Sequence, residues 1–455
     1  MPMSTRDCLN ENNVDEIYDL VCVGFGPASL AIAVAIHDKG IPARVRCLER
    51  QREFKWHGGM LLPDSRMQIS FLKDLATLRD PQSHFTFLNY LKAKNRLVAF
   101  TNLSTFLPLR EEYNDYMTWC ASHFDQHARY NQETLAITPH RLQGERVKAW
   151  DVLSQDVATR ERSTVRARYI VIAVGGKPKV PAALSDSSPD SPIVHFSSYS
   201  HTIPKMLVNK HCRSYVAVIG GGQSAAEIFN DLQKRFANVC VCLYTGDSAL
   251  RPSDDSPFVN EIFDPERVNE FYDLPNEAQK DTLTKNKATN YGVVRPELLD
   301  RLYELMYHQR LHESDESKWQ HGILPRKEVV GYETRNDGKI CLKLKNTLNG
   351  DIDLSDAPFD LIIVATGYIR NAHESMLRST KDLKTGKYDI GRDYKIKYRR
   401  DAVADNCGIW LQGCCQDSHG LSDTLLSILA VRGGEMVKSI FPEGNEDSIG
   451  DSKSL

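Results

Sequence analysis

Apolar positions along this chain gather into short dense blocks, and several of those blocks end on glycine. Residues 20–34, "LVCVGFGPASLAIAV", run from an apolar strand through a glycine turn into an apolar helix. Residues 216–227, "VAVIGGGQSAAE", repeat that form far downstream. A continuous apolar run bounded by turn residues predicts a strand buried on both faces, as in a parallel sheet. Two further blocks have the same character. "ARYIVIAVGGKPKVP" predicts a strand returning to the first sheet, and "DLIIVATGY" (360–368) predicts another buried strand. Between them, residues 250–330 are polar with helical spacing, and residues 52–125 are aromatic-rich and broken by Pro63, Pro81 and Pro108. The latter stretch reads as irregular chain followed by short helices, a place for a binding surface.

The first block continues into a complete βαβ unit. After the turn at Gly40-Ile41-Pro42, "ARVRCLER" alternates into a second strand that ends on Glu49. Gly24 and Gly26 give the tight turn, and Pro27 suits the first helical turn, where its missing N–H has no partner to lose. Ser29 replaces the third glycine of the usual pattern and is small enough to let helix pack on strand. Glu49 lies 25 residues beyond Gly24, near the spacing of a carboxylate that takes ribose hydroxyls. Backbone N–H groups at the helix start would bind a pyrophosphate.

The second unit has Gly220, Gly221, Gly222, Gln223 and Ser224 opening the helix "AAEIFNDLQKRF", then the strand "VCVCLYTG". That strand ends on Tyr244 with no carboxylate near its end, which leaves room for a 2′-phosphate and favours NADP over NAD. Two cradles, the first with an acid and the second without, imply FAD and NADPH together. The alternative is a duplicated pair of Rossmann units, one of them degenerate. The expected fold class is α/β, with two Rossmann-like dinucleotide-binding domains and a smaller, mostly helical substrate-binding region. The expected division is a disordered lead-in at 1–18, an FAD domain at 19–195, and an NADPH domain with substrate-binding helices at 196–355. The FAD domain then returns at 356–440, followed by a flexible tail at 441–455. "ALSDSSPDSP" reads as a linker, and Ser422 or Asp423 is expected to cap a C-terminal apolar helix beginning just beyond them.

Composition narrows the setting. At 455 residues, 41% hydrophobic and 26% charged, the chain suits a globular protein of two or three domains. A net charge of -3 offers no basic face for nucleic acid, and charge runs such as "RLQGERVK" read as solvated surface. No stretch approaches the apolar length of a membrane span. The polar start "MPMSTRDCLNENNVDE" lacks the apolar core of a secretory signal. A cytoplasmic protein is expected, with "SKSL" at the end an imperfect peroxisomal address. Eleven cysteines show no metal-ligand spacing and, with no export signal, are expected to be reduced; no metal is expected. The adjacent Cys414–Cys415 reads either as a redox centre or as an inert buried pair.

Two flavoprotein classes are disfavoured by what is missing. No CxxxxC pair accompanies the first cradle, as a disulfide reductase would need. "VHFSSYSHTIP" has Phe196 but Ser198 where a Baeyer–Villiger or dimethylaniline-type monooxygenase would carry glycine. From Asp19 to Arg432 the chain instead resembles the flavin-dependent N-hydroxylating monooxygenases, most closely the L-ornithine N5-monooxygenases of hydroxamate siderophore synthesis. The resemblance is carried by "DLVCVGFGPASLA", "MQISFLKDLATLRDPQSHFTFLNYL", "NLSTFLPLR", "GGGQSAAEIF", "RPSDDSPFVNEIF", "ATNYGVV", "ATGY" and "HGLSDTLLS".

What the resemblance implies is an enzyme that uses NADPH and O2 to hydroxylate the side-chain amine of L-ornithine, through a flavin hydroperoxide. The stretch from Glu49 to His57, with Trp56, and Gln68 would contact FAD, joined by Thr424, Leu425 and Leu426. Lys73 would hold the substrate carboxylate, Asn260 and the backbone around Phe263 its amino-acid end, and Ser427 would touch substrate and flavin. Asn290 would sit between nicotinamide ribose and substrate amine, with no dedicated base. Gly221 to Ser224 would take the NADP pyrophosphate, and relatives suggest a homotetramer. Some relatives carry an arginine just before "DSAL" to read the 2′-phosphate; here that residue is Gly246, with Arg251 a substitute. Without the resemblance, Lys73 reads as a surface partner of Asp74 or Asp80, Asn260 as a helix cap, and His57 and His419 as satisfied loop histidines. A free alkylamine of pKa about 10.4 is neutral in only roughly one molecule per thousand at pH 7, so the site must favour the uncharged form. Rival readings are a lysine N6- or diamine N-monooxygenase, and an NADPH-dependent flavoprotein oxidase or redox-sensing binding protein.

Overall fold

A computed structural model describes residues 17–141, 144–185, 188, 191–207, 213–384 and 389–442. The expected lead-in (apart from residues 17 and 18), the end of the expected tail, "SKSL" and part of the "ALSDSSPDSP" linker lie outside them.

In chain order the first unit supplies β1 (Ile17–Val23), helix α1 (Pro27–Asp38), β2 (Val45–Leu48), helix α2 (Arg110–Ser122), β3 (Ala128–Arg129), β4 (Gln132–His140), β5 (Ala149–Asp156) and β6 (Arg162–Ile172). The second begins with β7 (Ile193–His195), β8 (Ser214–Ile219), helix α3 (Gln223–Arg235) and β9 (Val239–Tyr244). Helices α4 (Asn276–Asn290) and α5 (Pro296–His312) follow, then β10 (His321–Leu324) and the antiparallel strands β11 (Lys327–Thr334), β12 (Ile340–Asn346) and β13 (Ile352–Leu354). The chain closes with β14 (Leu361–Val364), β15 (Gly408–Leu411) and helix α6 (Leu429–Ile440).

The first sheet runs β3-β2-β1-β6-β5-β4, with β15 also on β6; β1, β2, β6 and β15 are mutually parallel where they pair. The second sheet, β10-β9-β8-β14-β7, is wholly parallel. Register aligns the carboxyl ends: Val23 sits opposite Leu48 and Ile172, and Ile219 opposite Tyr244 and Val364. In open α/β sheets ligands bind beyond such ends.

Three expectations need correction. Strand β14, assigned from sequence to the returning first domain (356–440), pairs β8 and β7 in the second sheet. Strand β7, assigned to the first domain (19–195), is in that second sheet too. A short apolar parallel strand, buried like β14 or half-buried like β7, has no sequence mark of which sheet it joins. The return to the first sheet comes with β15. The C-terminal helix also starts later than expected. Residues 421–424 form a 3-10 turn, helix α6 begins at Leu429, and its N-cap is Ile428. Asp423 is therefore no cap. Fully buried, it accepts the Cys415 N–H at 2.7 Å and pairs with buried Arg432 at 3.0 Å.

Candidate active site

Each cradle is built around a glycine no other residue could replace. Gly24 has φ +90°, and a Cβ there would lie 2.7 Å from the Ala173 carbonyl oxygen beyond β6. Gly220 has φ +145°, and its Cβ would lie 2.4 Å from the Ala365 oxygen beyond β14. In both units the helix N-cap, Gly26 or Gly222, has extended backbone and no side-chain cap. The first N–H groups of α1 and α3 are thus left for a ligand. No atom lies within 4 Å of where a Gly26 Cβ would sit, so a phosphate can approach. Ser29 fits its reduced space by bonding back to the Gly24 carbonyl at 2.7 Å.

Glu49 stands at the end of β2, as expected, and is buried. Its carboxylate accepts the N–H of Phe25 and of Gln51, both at 2.8 Å, and so fixes the first glycine loop. The second unit departs from expectation. Three residues past Tyr244 the chain folds back, and Asp247 Oδ2 comes within 3.8 Å of where a Gly221 Cβ would be. Carboxylate is therefore present at the second cradle after all, drawn in by a loop rather than ending the strand. Arg251 lies 3.9 Å from Asp247, so the proposed phosphate reader faces an acid.

Between the two units lies a cavity of about 1030 Å³. Its walls bring together Trp56, His57, Gln68, Lys73, Asn260, Phe263, Asn290 and Leu425 to Ser427 with Gly220 to Ser224 of the second cradle. Gly24, Gly26, Pro27, Ser29, Glu49 and Thr424 are not in that wall. Thr424 lies just behind it, sharing a 2.8 Å hydrogen bond with the hydroxyl of Tyr291, which also donates to Gln416 Oε1 at 3.0 Å. Tyr291 follows Asn290 directly, at the end of α4, so this bond ties the two sides of the cavity.

Lys73 makes no ion pair among the described residues. Asp74 is buried and taken up by the N–H groups of Ala76, Thr77 and Phe87, and Asp80 by that of Gln82. The surface-pair reading of Lys73 therefore fails. Asn260 ends a four-residue helix and donates to the Asp255 carbonyl at 2.9 Å. The Ser427 hydroxyl is buried without a hydrogen-bond partner among the described residues, a donor in the cavity wall that a polar group would satisfy. The histidines separate. His57 is exposed in the cavity wall, where desolvation, then the Arg110 and Arg370 cations, lower its pKa. His419 is a core histidine, stacked on Tyr394 with both ring nitrogens partnered by Ser418 and Arg392, and burial holds it at about 4.

Sequence reasoning missed the bridge between the units. Arg110 of α2 makes a bidentate pair with Glu227 of α3, both bonds 2.9 Å, and a third bond to the Met60 carbonyl. Gln223, expected at the nucleotide, spends its side chain here: it donates to Glu227 and accepts the Arg295 N–H, each at 2.9 Å. Both partners lie in quoted stretches, Arg110 at the end of "NLSTFLPLR" and Glu227 in "GGGQSAAEIF", but neither carried a role there.

Residues 16–370 match the family described as L-lysine 6-monooxygenase/L-ornithine 5-monooxygenase. The chain belongs to this family. Among similar members is the L-ornithine N(5)-monooxygenase of Ajellomyces capsulatus, 51% identical over 93% of this chain and 90% of its own length. Similar solved structures include the ornithine hydroxylase PvdA of Pseudomonas aeruginosa, with TM-score 0.86 and 36% identity over 93% of this chain and 99% of that one. Another is the ornithine N-hydroxylase KtzI of a Kutzneria species, described with reduced FAD, NADP+ and L-ornithine. It has TM-score 0.84 and 32% identity, over 93% of this chain and 99% of that one. As a member of the family the protein is an N-hydroxylating monooxygenase.

Proposed function

We propose that the protein hydroxylates the side-chain amine of L-ornithine, using FAD held at the first cradle and NADPH held at the second. The observation that carries this reading is the shared cavity: a lysine and a serine hydroxyl, both without a partner among the described residues, and two asparagines line one space with the second cradle's glycines. Bound together, the flavin and nicotinamide supply the electrons that reduce O2 and allow one oxygen atom to be transferred.

The chain's own groups position and desolvate. The Lys73 ammonium takes the substrate carboxylate as a charged hydrogen bond. Asn260, with its N–H2 already committed to Asp255, leaves its amide oxygen for the α-ammonium. Asn290 accepts an N–H of the side-chain amine and aims its lone pair. Apolar walls from Trp56, Met60, Phe263 and Leu425 disfavour the ammonium form, which answers the protonation problem without a base. One methylene is worth only ~1–3 kcal/mol of discrimination, so lysine is the nearest rival substrate.

The test counts NADPH oxidised against hydroxylamine formed with L-ornithine, L-lysine and a diamine. Near-equal amounts with ornithine alone are expected. NADPH oxidation with no hydroxylated product would make the protein an oxidase, and equal turnover of lysine would move the substrate.

A further inference from the structure

Strands β11 to β13 form a small antiparallel sheet with no role in the reaction proposed above. Its inner face is rooted in the second unit: Val329, Ile340, Leu342 and Leu344 share a buried cluster with Tyr244 and Val364. Where β11 begins, the chain crosses the loop that follows β9. Arg326 donates its N–H to the Asp247 carbonyl at 2.8 Å, and Lys327 donates its own to the Thr245 carbonyl at 2.9 Å. Thr347, just after β12, donates from Oγ1 to the Gly246 carbonyl at 3.2 Å. The small sheet thus clamps the loop at 245–247, whose Thr245 hydroxyl lies 2.6 Å from where a Gly221 Cβ would be.

This arrangement delivers one cation. Lys327 lines the large cavity with Thr245, Gly246 and Asp247, whereas Arg251, the substitute read from the sequence, is not in that wall. The ion-pair partner of Lys327 among the described residues is Asp353, at 3.9 Å and 67% exposed, a pair too long and too hydrated to hold it. Other cations of the wall are placed elsewhere. Arg110 pairs with Glu227, Lys287 is on α4, and Lys179 and Arg370 follow β6 and β14.

In a doubly wound unit the adenosine ribose lies near the end of the strand after the cradle helix, here β9. Gly246 leaves that place open. Among the described residues, the one atom within 4 Å of where its Cβ would sit is Thr347 Cγ2, at 3.9 Å.

We propose that Lys327 reads the 2′-phosphate of NADPH, in place of an arginine at 246, and that the small sheet holds it there. Lys327 has this role only if NADPH occupies the second cradle, as the reading above has it. Its choice over Arg251 is a separate matter, decided by which of the two lines the cavity.

The chemistry fits the position. A phosphate monoester carries close to two negative charges at pH 7 and accepts several hydrogen bonds. An ammonium on a flexible stem meets such a group as a compact point charge. Lys327 is mostly shielded from solvent, which strengthens that attraction and offsets the like charge of Asp247 nearby. Arg251, outside the wall, adds only a screened contribution. NAD+ carries a neutral hydroxyl where NADP+ carries the phosphate, so it gains little from either cation.

The test is titration calorimetry of NADP+ and NAD+ on the FAD-loaded enzyme, with the melting temperature of each variant measured alongside. Lys327→Ala should weaken NADP+ roughly tenfold to a hundredfold, the loss of a charged hydrogen bond, and leave NAD+ unchanged. Lys327→Arg should keep most of the affinity, because the charge stays. In the Lys327→Ala background, Gly246→Arg should bring NADP+ binding back, since position 246 has room and no positive φ. A lysine that only braced the loop could not be replaced from another position. The proposal is overturned if Lys327→Ala weakens both nucleotides alike, or if NADP+ affinity falls in Arg251→Ala and not in Lys327→Ala. Wild-type enzyme that bound neither nucleotide would instead overturn the NADPH reading of the cradle, and the role of Lys327 with it.

Discussion

The two glycine cradles have nearly the same backbone and opposite surroundings. Helix α1 is buried along the whole of Ser29–Ile36, and Gly433 of α6 packs so closely on it that a Cβ would meet the Ala31 carbonyl at 3.0 Å. Its acid, Glu49, is locked onto the loop by two backbone N–H groups. The second cradle opens its glycines to the large cavity, and its acid, Asp247, is half-exposed and pairs only at 3.9 Å. Both helices are rooted in a core, α3 through Ala225, Ala226, Ile228, Phe229 and Leu232, but the first cradle's glycine turn is off the cavity wall. The other is a docking edge, suited to a nucleotide that must enter and leave.

Exchanging the two leading glycines breaks this comparison most severely. A positive φ costs a non-glycine residue ~1–3 kcal/mol, and here the added Cβ also strikes a carbonyl. Gly220→Ala is expected to purify yellow yet show no flavin reduction by NADPH in stopped flow. Gly24→Ala is expected to lose flavin and melt earlier. If both variants lost flavin alike, the cradles would not be separable units.

Next in size is the bridge that joins them. Arg110→Ala leaves the Glu227 carboxylate buried and unpaired, which costs about 3–5 kcal/mol. Urea unfolding should show that loss, and replacing both residues with Met should recover most of it. If Arg110→Ala alone were neutral, water would be reaching Glu227 and the two units would part there.

How much of this was legible follows the same division. The first unit could be read nearly whole, because turn, helix and acid are local and their spacing is set by one βαβ crossover. What depends on distant partners could not. Arg110 and Glu227 are 117 positions apart, and nothing in the two segments that hold them says that they meet. Asp247 was missed because a loop, not a strand end, delivers it. Strand β14 was misassigned because "LIIV" is equally apolar in either sheet. Asp423 looked like a cap because the chain after it is apolar, but its partners, Cys415 and Arg432, are met only in the fold.

Within the docking edge the effects become smaller and more specific. Asn290→Ala removes the group aiming the amine, and a misplacement on the order of 1 Å costs about a hundredfold in a positioned reaction. NADPH oxidation should persist while hydroxylated product falls and H2O2 rises. A slow but fully coupled variant would reduce Asn290 to a helix end. Lys73→Ala should raise the ornithine KM roughly tenfold to a hundredfold, ~1.5–3 kcal/mol for a charged hydrogen bond, without slowing flavin reduction. An unchanged KM would return Lys73 to the surface.

The smallest effect tests the acids themselves. Glu49 is fixed and buried, whereas Asp247 and Arg251 are both more than half exposed and 3.9 Å apart, so their pair is worth only ~0–1 kcal/mol. A 2′-phosphate arriving beside Gly221 meets the Asp247 carboxylate as a like charge and Arg251 as its complement. Asp247→Asn should therefore tighten NADP+ by no more than about fivefold, and Arg251→Ala should weaken it by a similar factor. Neither should move the affinity for NAD+, which lacks the phosphate. Both shifts should shrink at high salt, because screening acts fully on exposed charges. Titration calorimetry with the two oxidised nucleotides, at low and high ionic strength, reads all of this without turnover. If Arg251→Ala weakened NAD+ and NADP+ equally, the arginine would be shaping the loop at 245–247 rather than reading a phosphate. If Asp247→Asn weakened NAD+ instead, the docking edge would be using its acid on ribose hydroxyls, as the first cradle is expected to do.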